Sequence, residues 1–238
     1  MKIAAYKTWS VAPIIMVAPL LAPTNTLSSL PLSYQSRFVD EQIKNLNITQ
    51  FQIEGLTLQR AQTEDFGKVV EIYQDQKVLN ALGYDIPDDM LDQALKASEP
   101  NFINYVSQWE TYHHGHWMVY DHDGSCIGIV GLLKTHIDDE DEIEILVTLK
   151  PAAWGKGYAT KIGTILIQLA FEKLNMESII AYTLPSNTIA THLLKNFGFI
   201  YEKDIMYQDK PHIFYHLTKE EYEKIKDVTL WTPYTKGK

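Results

Sequence analysis

Hydrophobic positions switch between a spacing of two and a spacing of 3.6 in an ordered succession from about Gln52 onward. Leu56-Thr-Leu-Gln-Arg-Ala61 alternates like a strand. Thr63-Glu-Asp-Phe66 then offers a helix N-cap with acidic first-turn residues, so a helix is predicted to about Leu82, with Gly83 as its stop. Pro87-Asp-Asp-Met90 restarts a helix through Leu95, and Phe102 to Tyr112 carries a further amphipathic one. Trp117-Met-Val-Tyr120 and Cys126 to Leu133 flank Asp121-His-Asp-Gly-Ser125, whose Asp-Gly pair signals a hairpin. The acidic run Asp138 to Glu142 reads as a solvated turn before a strand over Ile143 to Leu149.

Farther along, Ile162, Ile165, Leu166, Leu169, Ala170 and Leu174 recur at helical spacing and form one buried stripe. Ser178 to Leu184 is a short apolar strand. Pro185-Ser-Asn187 caps a second helix that turns Ala190, Leu193 and Leu194 inward and ends at Gly198. Phe199 to Met206 and His212 to Leu217 close the pattern as two strands around Gln208-Asp-Lys-Pro211. The predicted order is β-α-α-β-β-β-α-β-α-β-β. This is an α/β (α+β) fold: a mixed, mostly antiparallel central sheet with a parallel β-α-β unit and flanking helices.

Residues 51–220 hold this pattern, residues 1–50 form an N-terminal extension or linker, and residues 221–238 a C-terminal tail helix. In the extension, Ser10 to Ala22 is apolar after a start that carries Lys2 and Lys7, which is open to reading as a secretory leader or as a surface extension. Pro13 and Pro19 weigh toward the extension, and the stretch is too short to span a membrane. A short helix is predicted at Arg37 to Asn45. The formal charge of −9 argues against non-specific binding to nucleic acid and suits a cationic substrate. Arg37 and Arg60 are the only arginines, so anion binding has to rely on backbone amides and lysines. One cysteine, Cys126, excludes an intramolecular disulfide and a cysteine-based metal cluster, in keeping with a reducing compartment.

The chemistry concentrates in Pro151-Ala-Ala-Trp-Gly-Lys-Gly-Tyr-Ala-Thr-Lys161, between a strand and a long helix. Gly155 and Gly157 permit a sharp turn and a close approach of phosphate to main-chain N–H groups at the helix start. Taken alone, such a turn is more often plain helix-start chemistry. Joined to Asn187-x-x-Ala190-x-x-Leu193-Leu194-x-x-x-Gly198-Phe199 after the next strand, it resembles the GNAT superfamily of N-acetyltransferases, from about Leu56 to Leu217. With Glu144-Ile145 before Pro151, it looks most like the branch of ribosomal-protein N-terminal (alanine) acetyltransferases and related antibiotic- or polyamine-modifying enzymes.

That resemblance implies acetyl-CoA as donor, with its pyrophosphate on the N–H groups of Trp154, Gly155, Lys156, Gly157, Tyr158, Ala159 and Thr160. It implies a pantetheine arm lying along Val147 to Leu149 like an added strand, hydrogen-bonded by Asn187, which serves equally as a helix cap. It implies a β-bulge within Leu146 to Leu149, whose open N–H groups would polarise the acetyl oxygen. An amine attacking a thioester needs such a donor for the oxyanion and a group to take its proton. Glu144 is the candidate base, its plain alternative being an exposed strand glutamate with Glu142 on the same face. Where many family members carry Arg or Gln, this chain has Ala152. Where many carry a proton-donating tyrosine it has Leu194, usual in this branch, and Tyr201 is the candidate acid in its place.

Tyr112-His-His-Gly-His116 lacks a carboxylate or cysteine at zinc-like spacing, so no metal is expected there. In the family this segment borders the acceptor cleft, which Trp109, Tyr112 and Trp117 would line unless they simply pack in the core. The acceptor implied is a cationic amine or a peptide N-terminus, with no nucleic acid or membrane partner, and a homodimer is common in that branch. Two functions stay open: an active cytoplasmic acetyltransferase, or a domain that has lost catalysis and senses acyl-CoA or binds a partner.

Overall fold

A computed structural model describes residues 47–84 and 86–226. The extension up to residue 46, its expected helix at Arg37 to Asn45, and the tail beyond residue 226 lie outside the described residues. Eight strands form one sheet: β1 (Gln50–Ile53), β2 (Leu56–Arg60), β3 (His116–Tyr120), β4 (Cys126–Ile137), β5 (Glu140–Leu149), β6 (Ser178–Thr183), β7 (Ile200–Tyr207) and β8 (Lys210–Thr218). Their order is β1-β2-β3-β4-β5-β6-β8-β7, and among the described residues only β5 and β6 pair in parallel. Four helices, α1 (Phe66–Tyr73), α2 (Gln76–Ala81), α3 (Asp88–Ala97) and α4 (Glu99–Tyr112), separate β2 from β3. The crossover from β5 to β6 is α5 (Tyr158–Gln168), running on through a π-helical turn at Leu169–Lys173. Beyond it come α6 (Thr188–Asn196) and α7 (Lys219–Ile225).

Differences from the sequence pattern have local causes. The helix expected from Thr63 to Leu82 is broken because Asp75 adopts extended geometry and its carboxylate caps α2 by accepting the Lys77 N–H. The acidic run at Asp138 is not a five-residue turn. Only Asp138 and Asp139 turn, both at positive φ, which closes a two-residue hairpin and lets β4 and β5 extend to Ile137 and from Glu140. Gln208 and Asp209 close the β7–β8 hairpin in the same conformation. Strand β1 is an addition, paired with β2 and too short to give a periodic signal.

Alternation on the strands divides the core between two faces. Ile145, Val147 and Leu149 join the stripe from α5, including Ile162 and Leu166, on one side. Met118 and Ile129 meet α1 to α4 on the other, and Ile137, Ile180, Tyr182, Ile205 and Phe214 form a third cluster. Trp117 ties the β1 end to this core: its indole N–H donates to the Ile48 carbonyl at 2.6 Å and its ring meets Trp109 edge-on at 4.8 Å. Among the described residues no helix is long and apolar enough to cross a membrane. Replacing fully buried Trp117 by Ala is expected to cost about 3–5 kcal/mol, read as a lower midpoint in urea denaturation.

Candidate active site

At the end of β5 the chain makes a short 3-10 turn at Pro151–Ala153 and reaches Gly155 and Gly157, both at positive φ, with Gly157 as the N-cap of α5. The first bond of α5 runs from the Lys161 N–H to the Gly157 carbonyl, so the N–H groups of Tyr158, Ala159 and Thr160 precede any helical acceptor. A Cβ built at Gly157 would meet nothing within 4 Å, so the backbone there faces open space. The Trp154 N–H, in contrast, is taken by the Pro151 carbonyl, and its indole donates to the Leu149 carbonyl at 2.8 Å. Exposed Lys156 stands beside this turn, while Lys161 is held by Glu54 at 2.5 Å.

The parallel register of β5 against β6 is set at Glu144 opposite Ile180. Past that point β5 continues to Leu149, and its ladder to β4 keeps one register from Ile137 opposite Glu140 to Gly128 opposite Leu149. The expected bulge within Leu146 to Leu149 is therefore absent: every residue there has a β4 partner, leaving no extra residue to bulge. Alternation still opens an edge. The Lys150 N–H donates to Ile127 on β4, and the Leu132 N–H turns away from β5 to Gly115. Ile145, Val147 and Leu149 thus direct their backbone groups toward the β6 side, where the strands part. Across this gap, Asn187 caps α6 by accepting the Ala190 N–H at 3.1 Å, and its amide nitrogen donates to the Ala81 carbonyl at 3.4 Å.

Glu144 stands where β5 pairs with β6, on the face it shares with Leu133 and Ile180. It is fully buried, and neither carboxylate oxygen has a hydrogen-bond partner. Desolvation drives its pKa well above the usual carboxylate range. The Tyr182 hydroxyl lies close enough to oppose this, but the two groups stop short of hydrogen-bond geometry and the phenol is unpartnered too. Tyr73, its own pKa pushed up to about 12 by burial, and Tyr84 both feel the Glu144 charge; Tyr105 and Tyr207 act on Tyr182. Tyr182 and Tyr207 pack at 5.0 Å.

The model of the acetyltransferase (GNAT) domain matches residues 55–200. The chain belongs to the GNAT acetyltransferase family. Solved structures agree in fold. The ribosomal-protein-S5-alanine acetyltransferase of Vibrio fischeri is 15% identical at a TM-score of 0.56, with 77% of this chain and 99% of that one covered. The spermidine N-acetyltransferase of Vibrio cholerae in complex with CoA and spermine is 18% identical at 0.54, covering 72% and 99%. An acetyltransferase of Agrobacterium tumefaciens is 21% identical at 0.56, covering 82% and 99%.

Within this GNAT fold the other candidates are scattered. Tyr201 is 54% exposed on edge strand β7, paired with Tyr215 on the opposite face from Glu144, so it is not brought to the gap. Leu194 is core. The histidine run disperses: His113 ends α4 in the left-handed region, and His114 Nδ1 meets the Leu132 carbonyl at 2.8 Å. His116 turns inward against Tyr105, where burial lowers its pKa to about 4. Trp109 and Trp117 pack in the core, and only Tyr112 of the three aromatics is exposed. Sequence reasoning missed Tyr182 beside Glu144, and Tyr73 and Tyr84 within reach of its charge, because they come from three separate stretches of chain.

Because the folded state holds the Glu144 proton more tightly than the unfolded chain, stability is expected to fall as pH rises from the ordinary value of 4.5 through the raised folded value. Urea denaturation across that window should show this slope in the wild type and a flatter one in Glu144→Gln. Identical slopes would mean that Glu144 is not desolvated.

Proposed function

We propose that this chain transfers an acetyl group from acetyl-CoA to a primary amine, on a small molecule or a protein N-terminus, with Glu144 receiving the amine's proton. The observation that carries this reading is a buried, unpartnered carboxyl at the point where β5 and β6 separate, on a sheet whose next loop starts a helix with open amides. Among proteins of similar fold are a spermidine N-acetyltransferase bound to CoA and spermine and a ribosomal-protein-S5-alanine acetyltransferase, so amine acceptors occur within this architecture.

The donor set fits a pyrophosphate without arginine. N–H groups from Gly155 to Thr160 converge with the positive end of the α5 dipole, and Lys156 adds a charge beside them. Val147 and Leu149 offer edge backbone groups for the amides of a pantetheine arm, although the Leu149 carbonyl already accepts from Trp154. Asn187 borders that path. Acetyl-CoA supplies the activated acyl carbon when bound. The chain orients the amine, excludes water and moves one proton: as nitrogen bonds to carbon and the C–S bond breaks with its pair on sulfur, the proton from nitrogen goes to a Glu144 Oε. A cytoplasmic setting follows from the donor's intracellular supply.

Thiol release from acetyl-CoA with an amine panel, beside calorimetry of acetyl-CoA binding, tests the reading. Glu144→Gln is expected to lower kcat/KM by about 10²–10⁴-fold while leaving acetyl-CoA affinity intact. Gly157→Val should do the reverse and weaken acetyl-CoA binding first. The base must be ionised, so wild-type kcat/KM should rise with pH along a limb above the ordinary carboxylate range. Acetyl-CoA binding without turnover on any amine would contradict the proposal.

A further inference from the structure

Glu144 is fully buried, so nothing outside the fold can touch its carboxyl until part of the cover moves. Two parts of the chain reach across its face of the sheet toward β7 and β8. One is the tip of the β4–β5 hairpin: Ile137 packs in the cluster of Ile180, Tyr182, Ile205 and Phe214, and Asp138 pairs with Lys203 at 3.0 Å. The ladder behind it holds register out to Ile137 opposite Glu140. The other part is residues 81–84, which follow α2 in the helical layer, and its ties are thinner. The Tyr84 hydroxyl donates to Gln208 in the β7–β8 turn at 3.3 Å, and the Ala81 carbonyl accepts from Asn187 at 3.4 Å, both long for hydrogen bonds. Between them Gly83, at positive φ, lies so near Leu184 that a Cβ there would meet its side chain at 2.4 Å. The turn adjoins the carboxyl's surroundings. Tyr207 and His212, on either side of it, meet the Tyr182 ring at 5.0 and 5.6 Å, and Tyr182 lies beside Glu144.

Resting on the acetyltransferase reading, we propose that the acceptor enters between residues 81–84 and the β7–β8 turn, and that the Tyr84–Gln208 hydrogen bond holds this entrance shut. A long polar contact open to water breaks more readily than a hairpin ladder backed by a buried cluster, because water replaces the lost bond at little cost. Gly83 suits the moving part: glycine takes positive φ without strain, and its missing Cβ lets the chain lie against Leu184 when shut. The entrance is separate from the donor's path. Residues 81–84 belong with α1 to α4 on the face of Met118 and Ile129, whereas α5, with its amide turn, packs with Ile145, Val147 and Leu149 on the other face. Closing the entrance therefore shuts out the amine and leaves acetyl-CoA free to bind.

The test uses the full chain with Cys126→Ser, Tyr84→Cys and Gln208→Cys, its two thiols bridged by a short bis-methanethiosulfonate that a reductant removes. Glu144 is labelled with a carbodiimide and glycine methyl ester and read by peptide mass mapping against exposed Glu64. Bridging is expected to slow Glu144 labelling at least about tenfold, to lower amine-dependent thiol release in step and to leave acetyl-CoA affinity unchanged, with reductant reversing the losses. In the otherwise natural chain, Tyr84→Phe keeps the ring and removes the hydroxyl, and should speed Glu144 labelling by about two- to tenfold, whereas Asp138→Asn should not. Labelling that ignores both the bridge and Tyr84→Phe, or that quickens with Asp138→Asn instead, overturns the proposal. Labelling that obeys the bridge in a protein that acetylates no amine would uphold the entrance and defeat the transferase reading. Undiminished amine transfer in the bridged protein would do the opposite.

Discussion

Two parallel strands joined by a helix are held together at one end and free to part at the other, and in this chain the pairing of β5 with β6 is registered at Glu144 opposite Ile180. The functional geometry depends on that stopping point. At Glu144, β5 has partners on both sides; downstream, its ladder to β4 continues without a break while no further β6 pair follows. The opening turns Val147 and Leu149 into a backbone edge and brings the chain, through Pro151–Ala153, to the amide-rich start of α5. A bulge in β5 is not needed to expose those groups. The end of the β6 pairing leaves that edge without a strand partner, while the β4 ladder continues unbroken.

The same stopping point buries Glu144. A carboxyl in that position opposes folding, since desolvation penalises its charge and its neutral form still lacks hydrogen bonds. Its burial beside Tyr182 concentrates this cost at one place, while the rest of the sheet is conventionally packed around Trp117, Leu132, Leu166 and Tyr215. Proteins keep such local conflicts where a ligand relieves them. A cation entering beside Glu144 would pull its proton affinity back down, converting the group into a base when substrate is present.

Much of this was legible along the chain because it is local. The Gly155 and Gly157 turn, the stripe of α5, the Asn187 cap and the Asp121 hairpin each depend on residues a few positions apart, and each stands where the pattern put it. Glu144 itself was picked out by its place before the loop. Its environment was not, since Tyr73 and Tyr84 are separated from it by more than fifty residues of chain and come within reach of its charge only after the helices pack on the sheet. Tyr201 illustrates the converse: nearness in sequence to the Phe199 ending suggested a role, whereas the β8–β7 strand order carries it to the far edge. The Asp75 break and the two-residue turn at Asp138 show a side-chain cap and positive-φ residues overriding helix and turn patterns read over longer windows.

The protonation state of Glu144 is the most direct point of attack. Infrared difference spectra between wild type and Glu144→Gln isolate its carboxyl stretch, recorded one pH unit above the ordinary glutamate value with and without n-butylammonium. A buried acid awaiting a cation gives a protonated band in the free protein that converts to a carboxylate band when the amine is added. A carboxylate already ionised in the free protein, or a protonated band indifferent to saturating amine, would contradict it.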